Sequence, residues 1–354
     1  MYREVATALY KRGDTGMPSE GYQMPAWGGP VVFLTVLLFV PLLLIYSYTV
    51  QQIYPTLAII EDPAPPAYEP VSLNDALNDD GQAFADESGR SSAPPITSSL
   101  RDTHRALYAR GGFSAMFRGY WCIVFLNIAT ATIATIFLGI GIPAFIAVPI
   151  IGVTLVQPFA AWTHIVISTP SSQWFWQRFP PFARTFKATA LPMALYLIAA
   201  ELATSLPRGL ARLLNISTWN YQNPNTIPDH DKHDLWKGIV IFIAALALQV
   251  FLVIPTQAIL TRVQASFLPE DHDTIVPFDR SFGGKVEPAV VGGNGYVSMA
   301  EAWKSFSRES WIRLVKLYVK IFLLGIGLFL TLAAVLIPEY LLIMAHSTKN
   351  GDEL

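Results

Sequence analysis

Two histidines sit three residues apart within a run of acids, Asp229-His230-Asp231-Lys232-His233-Asp234. Histidine and carboxylate clusters of this kind bind zinc when three or four ligands converge and a second shell orients them. Pro228 and the high local charge suit a solvated loop better, and Asp271-His272-Asp273 is a weaker version of the same pattern. No metal and no cofactor is expected. No glycine-rich phosphate loop, nucleophile elbow or HExxH occurs, so the chain does not read as an enzyme. The next candidates are polar side chains inside apolar runs: Asn127, His164, Glu201 and Gln249. Such groups are costly in hydrocarbon and therefore mark contacts or pathways. Glu201, in LIAAELATSLP, costs most; it reads as a cavity group or, preferably, as one that reaches water at a membrane surface. His164 reads as a packing histidine before a ligand.

The elements that carry these groups are membrane spans. The chain has 354 residues, 52% of them hydrophobic and 14% charged, with mean hydropathy +0.39. Soluble domains carry about 25% charge, so apolar runs this long read as helices in a bilayer, where every backbone group must be satisfied internally. Six spans are expected, at 28–53, 119–141, 143–168, 187–207, 236–261 and 314–345. GIGIP at 139–143 supplies a tight turn between the second and third. A net charge of −2 predicts no nucleic-acid role, and a single cysteine, Cys122, excludes an intrachain disulfide. The N-terminal tail, 1–27, lacks the apolar core of a secretory signal.

Six spans place both termini on one side. Of the 24 Lys and Arg residues, eight fall on that side and sixteen on the other, which is therefore expected to face the cytosol or a mitochondrial matrix. Two polar stretches lie on the basic side. Residues 61–97 carry eight acids against Arg90, with several prolines, and read as a disordered acidic insertion. Residues 267–298 read as a second polar insertion.

The prolines Pro41, Pro158 and Pro255 suggest a period, each near the basic-side end of an odd-numbered span that it should kink. Short amphipathic stretches follow at 98–108 and 299–314, suited to the interface plane. The unit is a kinked span, a surface helix and a second span: 28–141, 143–207 and 236–345, with a polar loop at 208–235 and a tail at 346–354.

This layout resembles the mitochondrial carrier family, whose repeat carries Pro-x-acid-x-x-base and, later, acid-Gly, four residues, aromatic-base-Gly. Gly112 followed by Phe117-Arg118-Gly119 is similar to the second half; so is Glu309 with Lys316, though both glycines are lost there. Phe186-Lys187-Ala188 imitates the same step. Pro255-Thr-Gln257-Ala-Ile-Leu260-Thr-Arg262-Val-Gln264 is similar to the first half. The resemblance implies an all-α membrane protein, six transmembrane helices in a pseudo-three-fold bundle around a central site. Glycine would let the surface helix turn into the span, and Arg118 would snorkel to lipid headgroups.

The chain departs from the family at the gate. The positions two and five residues after the three prolines hold Leu43 and Tyr46, Ala160 and Thr163, Gln257 and Leu260, so no ionic gate is expected. Cavity positions hold Leu126 and Asn127, Leu195 and Tyr196, Leu323 and Leu324, without the cations that would attract anions. The expected function is transport of a small neutral or apolar metabolite across a mitochondrial membrane, the inner before the outer. Tyr46, Tyr48, Thr163 and Gln257 would act in place of the ion network. The alternative is a non-transporting scaffold that recruits proteins through 61–97 and 267–298. An endoplasmic reticulum protein is a third reading, from the terminal Gly-Asp-Glu-Leu and the sequon Asn215-Ile-Ser217.

Overall fold

The computed structural model describes residues 22–23, 25–62, 95–216, 235–286, 292–346 and 348–349. The His230/His233 cluster, most of 61–97 and the GDEL terminus lie outside the described residues. Among the described residues the structure is helical apart from a two-residue antiparallel pairing of Tyr22–Gln23 with Thr348–Lys349 and one isolated bridge.

In chain order the helices are α1 (Gly28–Leu44), a π-helical stretch (Ile45–Ile53), α2 (Tyr54–Ile60), α3 (Leu100–Gly111), α4 (Tyr120–Gly139), α5 (Ala144–Thr154) and α6 (Val156–Ile167). Then follow α7 (Phe182–Leu213), α8 (Leu235–Leu248), a second π-helical stretch (Gln249–Val253), α9 (Ile254–Ser266), α10 (Met299–Lys304) and α11 (Arg308–Ala345). Short 3-10 turns cover Ile96–Ser98, Gly112–Phe117 and Phe175–Arg178. Among the described residues five helical runs are long and apolar enough to cross a membrane, and α5 with α6, bent by 64°, makes a sixth when the pair is taken as one span. Their outward faces are apolar: Phe33, Leu38, Trp121, Ile128, Phe329 and Leu330 are all exposed, as lipid contact demands. The chain is a membrane-embedded helical protein.

The first span runs on to Ile60, seven residues past its expected end, and this corrects the proline assignment. Pro41 is an exposed residue inside α1 and marks no break. Pro55 does. A proline lacks an N–H and crowds the carbonyl four residues back, so the helix ahead of it must yield. Ahead of Pro55 and Pro255 it yields as a π-helical stretch, and ahead of Pro158 as the break at Leu155. IYPTLAII and VIPTQAIL, around Pro55 and Pro255, match at Pro, Thr, Ala and Ile.

The chain forms two compact units, Met1–Leu44 with Phe322–Leu354, and Ile45–Ile321. In the smaller, the Thr35 hydroxyl donates to Glu339 Oε2 at 2.8 Å, and Trp27 meets the His346 ring edge-on at 5.7 Å. In the larger, α2, α6 and α9 pack on one another, and α7 packs against both α5 and α9. Gly152 permits the α5–α7 approach, since a Cβ there would fall 1.9 Å from Leu197 Cδ1. The main core gathers Ile53, Leu57, Ile60, Val166, Ile167, Ile254 and Leu314, all essentially solvent-free.

The 267–298 segment is not a polar appendage. Phe267, Leu268, Ile275, Val276, Phe282 and Val297 are buried in the core clusters. Its backbone is stitched to the helix ends: Ile275 N–H donates to Ile167 O at 2.9 Å, Thr169 N–H to Asp273 O at 2.7 Å and Asp62 N–H to Pro277 O at 3.0 Å. Its apolar residues alternate with acids and glycines, which hides them from a hydropathy reading.

Candidate functional site

The site is the closure where the three proline-headed helices α2, α6 and α9 meet. It is built from the loose ends that helices leave: the last four carbonyls of each have no intrahelical donor. At the end of α6, Arg118 supplies the donors. Its guanidinium donates to Ile165 O at 3.2 Å and, closer still, to Ser168 O. At the end of α2, Arg313 donates to Ala58 O at 3.3 Å and to Glu61 O at 2.6 Å. Each cap comes from the start of another span. Arg118 is therefore a buried cap, 9% exposed, and does not reach toward headgroups. Helix-end carbonyls carry the negative end of the dipole and outcompete the interface for this cation.

The step around Arg118 is held from below. The Tyr48 hydroxyl donates to Arg118 O and accepts from Trp162 Nε1 at 3.1 Å, while Thr49 donates to Met116 O at 2.7 Å. Phe117 packs on the main core. Gly112, at φ 60°, closes α3. Gly119, at φ 70°, opens α4, and a Cβ there would stand 3.1 Å from Trp162 and 3.3 Å from the Tyr48 hydroxyl. Later in the chain the inward-turned cation sits one helical turn ahead of the one matched in the sequence. Lys316 and Glu309 are exposed, whereas Arg313 turns inward; Lys187 is exposed, whereas Arg184 donates to Gly295 O.

Two ion pairs lie near the closure, at residues other than the six positions where none was expected. Arg262 pairs with Asp62 at 3.6 Å, and Arg313 with Glu61 at 3.7 Å. Asp62 and Arg262 each stand seven residues after their prolines, Pro55 and Pro255. Numbering from Pro41 hides that pairing. Arg262 also donates to Ile59 O at 3.1 Å and Ser305 Oγ at 3.1 Å, and lies 5.0 Å over the Phe282 ring. Glu61 accepts from Ile96 N–H at 2.6 Å and Thr97 N–H at 3.0 Å, fixing the chain that returns to α3. Burial pushes the Asp62 carboxyl above its usual range, and the Asp279 N–H and the Arg262 charge oppose that push.

Of the polar gate candidates, three bond across to other helices. Tyr46 donates to Ile321 O at 3.1 Å, Thr163 to Gln264 Oε1 at 2.7 Å, and Gln257 accepts from the Tyr318 hydroxyl at 2.8 Å. His164 is fully packed, its Nε2–H donating to Gln264 O at 2.8 Å. Asn127 and Gln249 are exposed and Glu201 is half-buried; none of the three joins the closure. Sequence reasoning missed Glu61, Asp62, Arg184, Arg313 and Glu339. The available signal was the match of PTLAII to PTQAIL, which puts Asp62 opposite Arg262 in register.

No protein-family model, no curated protein and no solved structure matches this chain.

Proposed function

We propose that the chain is a membrane transporter of carrier-like build that passes a small neutral or weakly polar metabolite. One observation carries the reading: three spans, each broken ahead of a proline, close on one another through contacts made between modules. Tyr46 to Ile321, Thr163 to Gln264, Asp62 to Arg262 and Glu61 to Arg313 cross from one module to another, and Gln257 to Tyr318 ties together the two spans of the third. A barrier of this kind can part without breaking any helix, because every one of these contacts is made by a side chain. The three-module repeat and the mitochondrial membrane belong to this proposal, with the caps by Arg118 and Arg313 as support.

Reconstitution into liposomes tests it. Uptake of at least one member of a panel of labelled neutral metabolites is expected, together with a rise in thermal midpoint on binding. Gln257→Leu with Thr163→Val should slow that uptake. A folded, reconstituted protein that neither moves nor is stabilised by any of the panel would overturn the reading in favour of a scaffold. Location is read by tagging and fractionation; a tag found only in the endoplasmic reticulum would overturn the mitochondrial assignment.

A further inference from the structure

A second feature lies apart from the closure. A cavity of about 670 Å³ opens between the end of α6, the turn at Phe175–Arg178, the start of α7 and the 267–295 segment. Three arginines line it, Arg178, Arg184 and Arg280, with His272 beside them. Their bonds go to a hydroxyl and to backbone carbonyls. Arg178 donates to Ser168 Oγ at 2.6 Å, Arg184 to Gly295 O, and Arg280 to Pro269 O at 2.9 Å and to His272 O. None of these bonds goes to a carboxylate. Arg184 Nε is buried with no hydrogen-bond partner among the described residues. Two carboxylates, Glu270 and Asp271, also line the cavity, but both are exposed whereas the three arginines are half-buried. A guanidinium has five N–H donors in a planar fork, so these three keep donors to spare after their structural bonds.

The electrostatics agree. Burial, followed by the Arg178 and Arg280 charges, holds His272 below its ordinary value, with Asp271 opposing. Burial likewise lowers Arg178, and Asp271 only partly restores it. A compact oxyanion with several acceptor oxygens satisfies several guanidinium forks at once, as a single carboxylate does not.

We propose that this cavity binds a phosphate group, held by Arg178, Arg184 and Arg280. The phosphate belongs to a soluble phosphate compound or to a lipid headgroup, and the two are separable. The inference does not depend on transport, because binding is read without flux.

The test uses the full chain, purified in detergent and in nanodiscs, with inorganic pyrophosphate as the soluble probe. Phosphatidylcholine nanodiscs with and without phosphatidic acid supply the lipid probe. A rise in thermal midpoint with pyrophosphate assigns a soluble ligand. A rise confined to phosphatidic acid discs assigns the headgroup. In either case Arg178→Gln with Arg280→Gln should weaken the effect by about tenfold or more. Asp271→Asn, which removes a competing carboxylate and need not disturb folding, should tighten binding by about threefold. No stabilisation by either probe, or stabilisation unchanged by all three substitutions, would overturn the proposal.

Discussion

Arg118 shows how a single side chain changes meaning between a sequence and a fold. At the mouth of an apolar run it reads as an interfacial anchor; in place it caps α6 and is covered by Tyr48, Ser168 and Ile165. Charged hydrogen bonds to otherwise orphaned carbonyls contribute about 1.5–3 kcal/mol each. Arg118→Ala should therefore lower stability by roughly 2–4 kcal/mol, while an interfacial arginine would cost under about 1 kcal/mol. Denaturant titration of the purified variant separates the two. Gly119→Ala strains a φ of 70° and crowds Trp162, at a cost of about 1–2 kcal/mol. His272 carries the pH dependence that belongs to this scale. The unfolded chain binds its imidazole proton near the ordinary 6.5, and the folded chain only at lower pH. Just below that value the unfolded state holds more protons, so stability falls as pH falls through the window and returns as pH rises. His272→Asn should therefore narrow the gap between thermal midpoints measured at about pH 7.5 and about pH 5.

At the scale of elements, the bond between the α2 and α9 ends makes the sharpest prediction. Removing one member of a buried ion pair strands the other, at about 3–5 kcal/mol, whereas replacing both is often neutral. Arg262→Met alone should destabilise by about that amount, and Asp62→Leu with Arg262→Met should recover most of it. Additive losses in the double variant would sink the pairing. The bridge between Ser168 and Thr274 predicts a second result. Antiparallel partners stand about 4.5–5.5 Å apart at Cα, within disulfide reach. In a Cys122→Ser background, Ser168→Cys with Thr274→Cys should cross-link on oxidation and raise the thermal midpoint relative to the reduced form. Much of this architecture was legible. Apolar runs of about 20 residues announce spans whatever their packing, and GIGIP announced the turn after α4. The proline was misplaced because Pro41 lies inside the apolar run, whereas Pro55, flanked by Gln51-Gln52 and Glu61-Asp62, falls beyond the expected end of the span at 53. The packed 267–286 stretch was illegible because its buried residues Ile275, Val276 and Phe282 are separated by Pro277, Asp279 and Arg280, a spacing with no helical or strand period. The Asp62–Arg262 pair was legible only in register, since 200 residues separate its members.

At the scale of the whole molecule, that separation has a consequence for how the protein is made. Glu61 and Asp62 leave the ribosome early, and their guanidinium partners follow much later, Arg262 near the end of the fourth further span and Arg313 after it. Contacts so distant in the chain form last. Until then both acids at the end of the first span lack their arginines, and we expect membrane quality control to read that difference between a half-built molecule and a finished one. A stalled chain ending before residue 262 should be degraded quickly, and Glu61→Gln with Asp62→Asn should prolong its half-life in a pulse-chase measurement. Equal decay of the two stalled chains would show that the waiting carboxylates go unread.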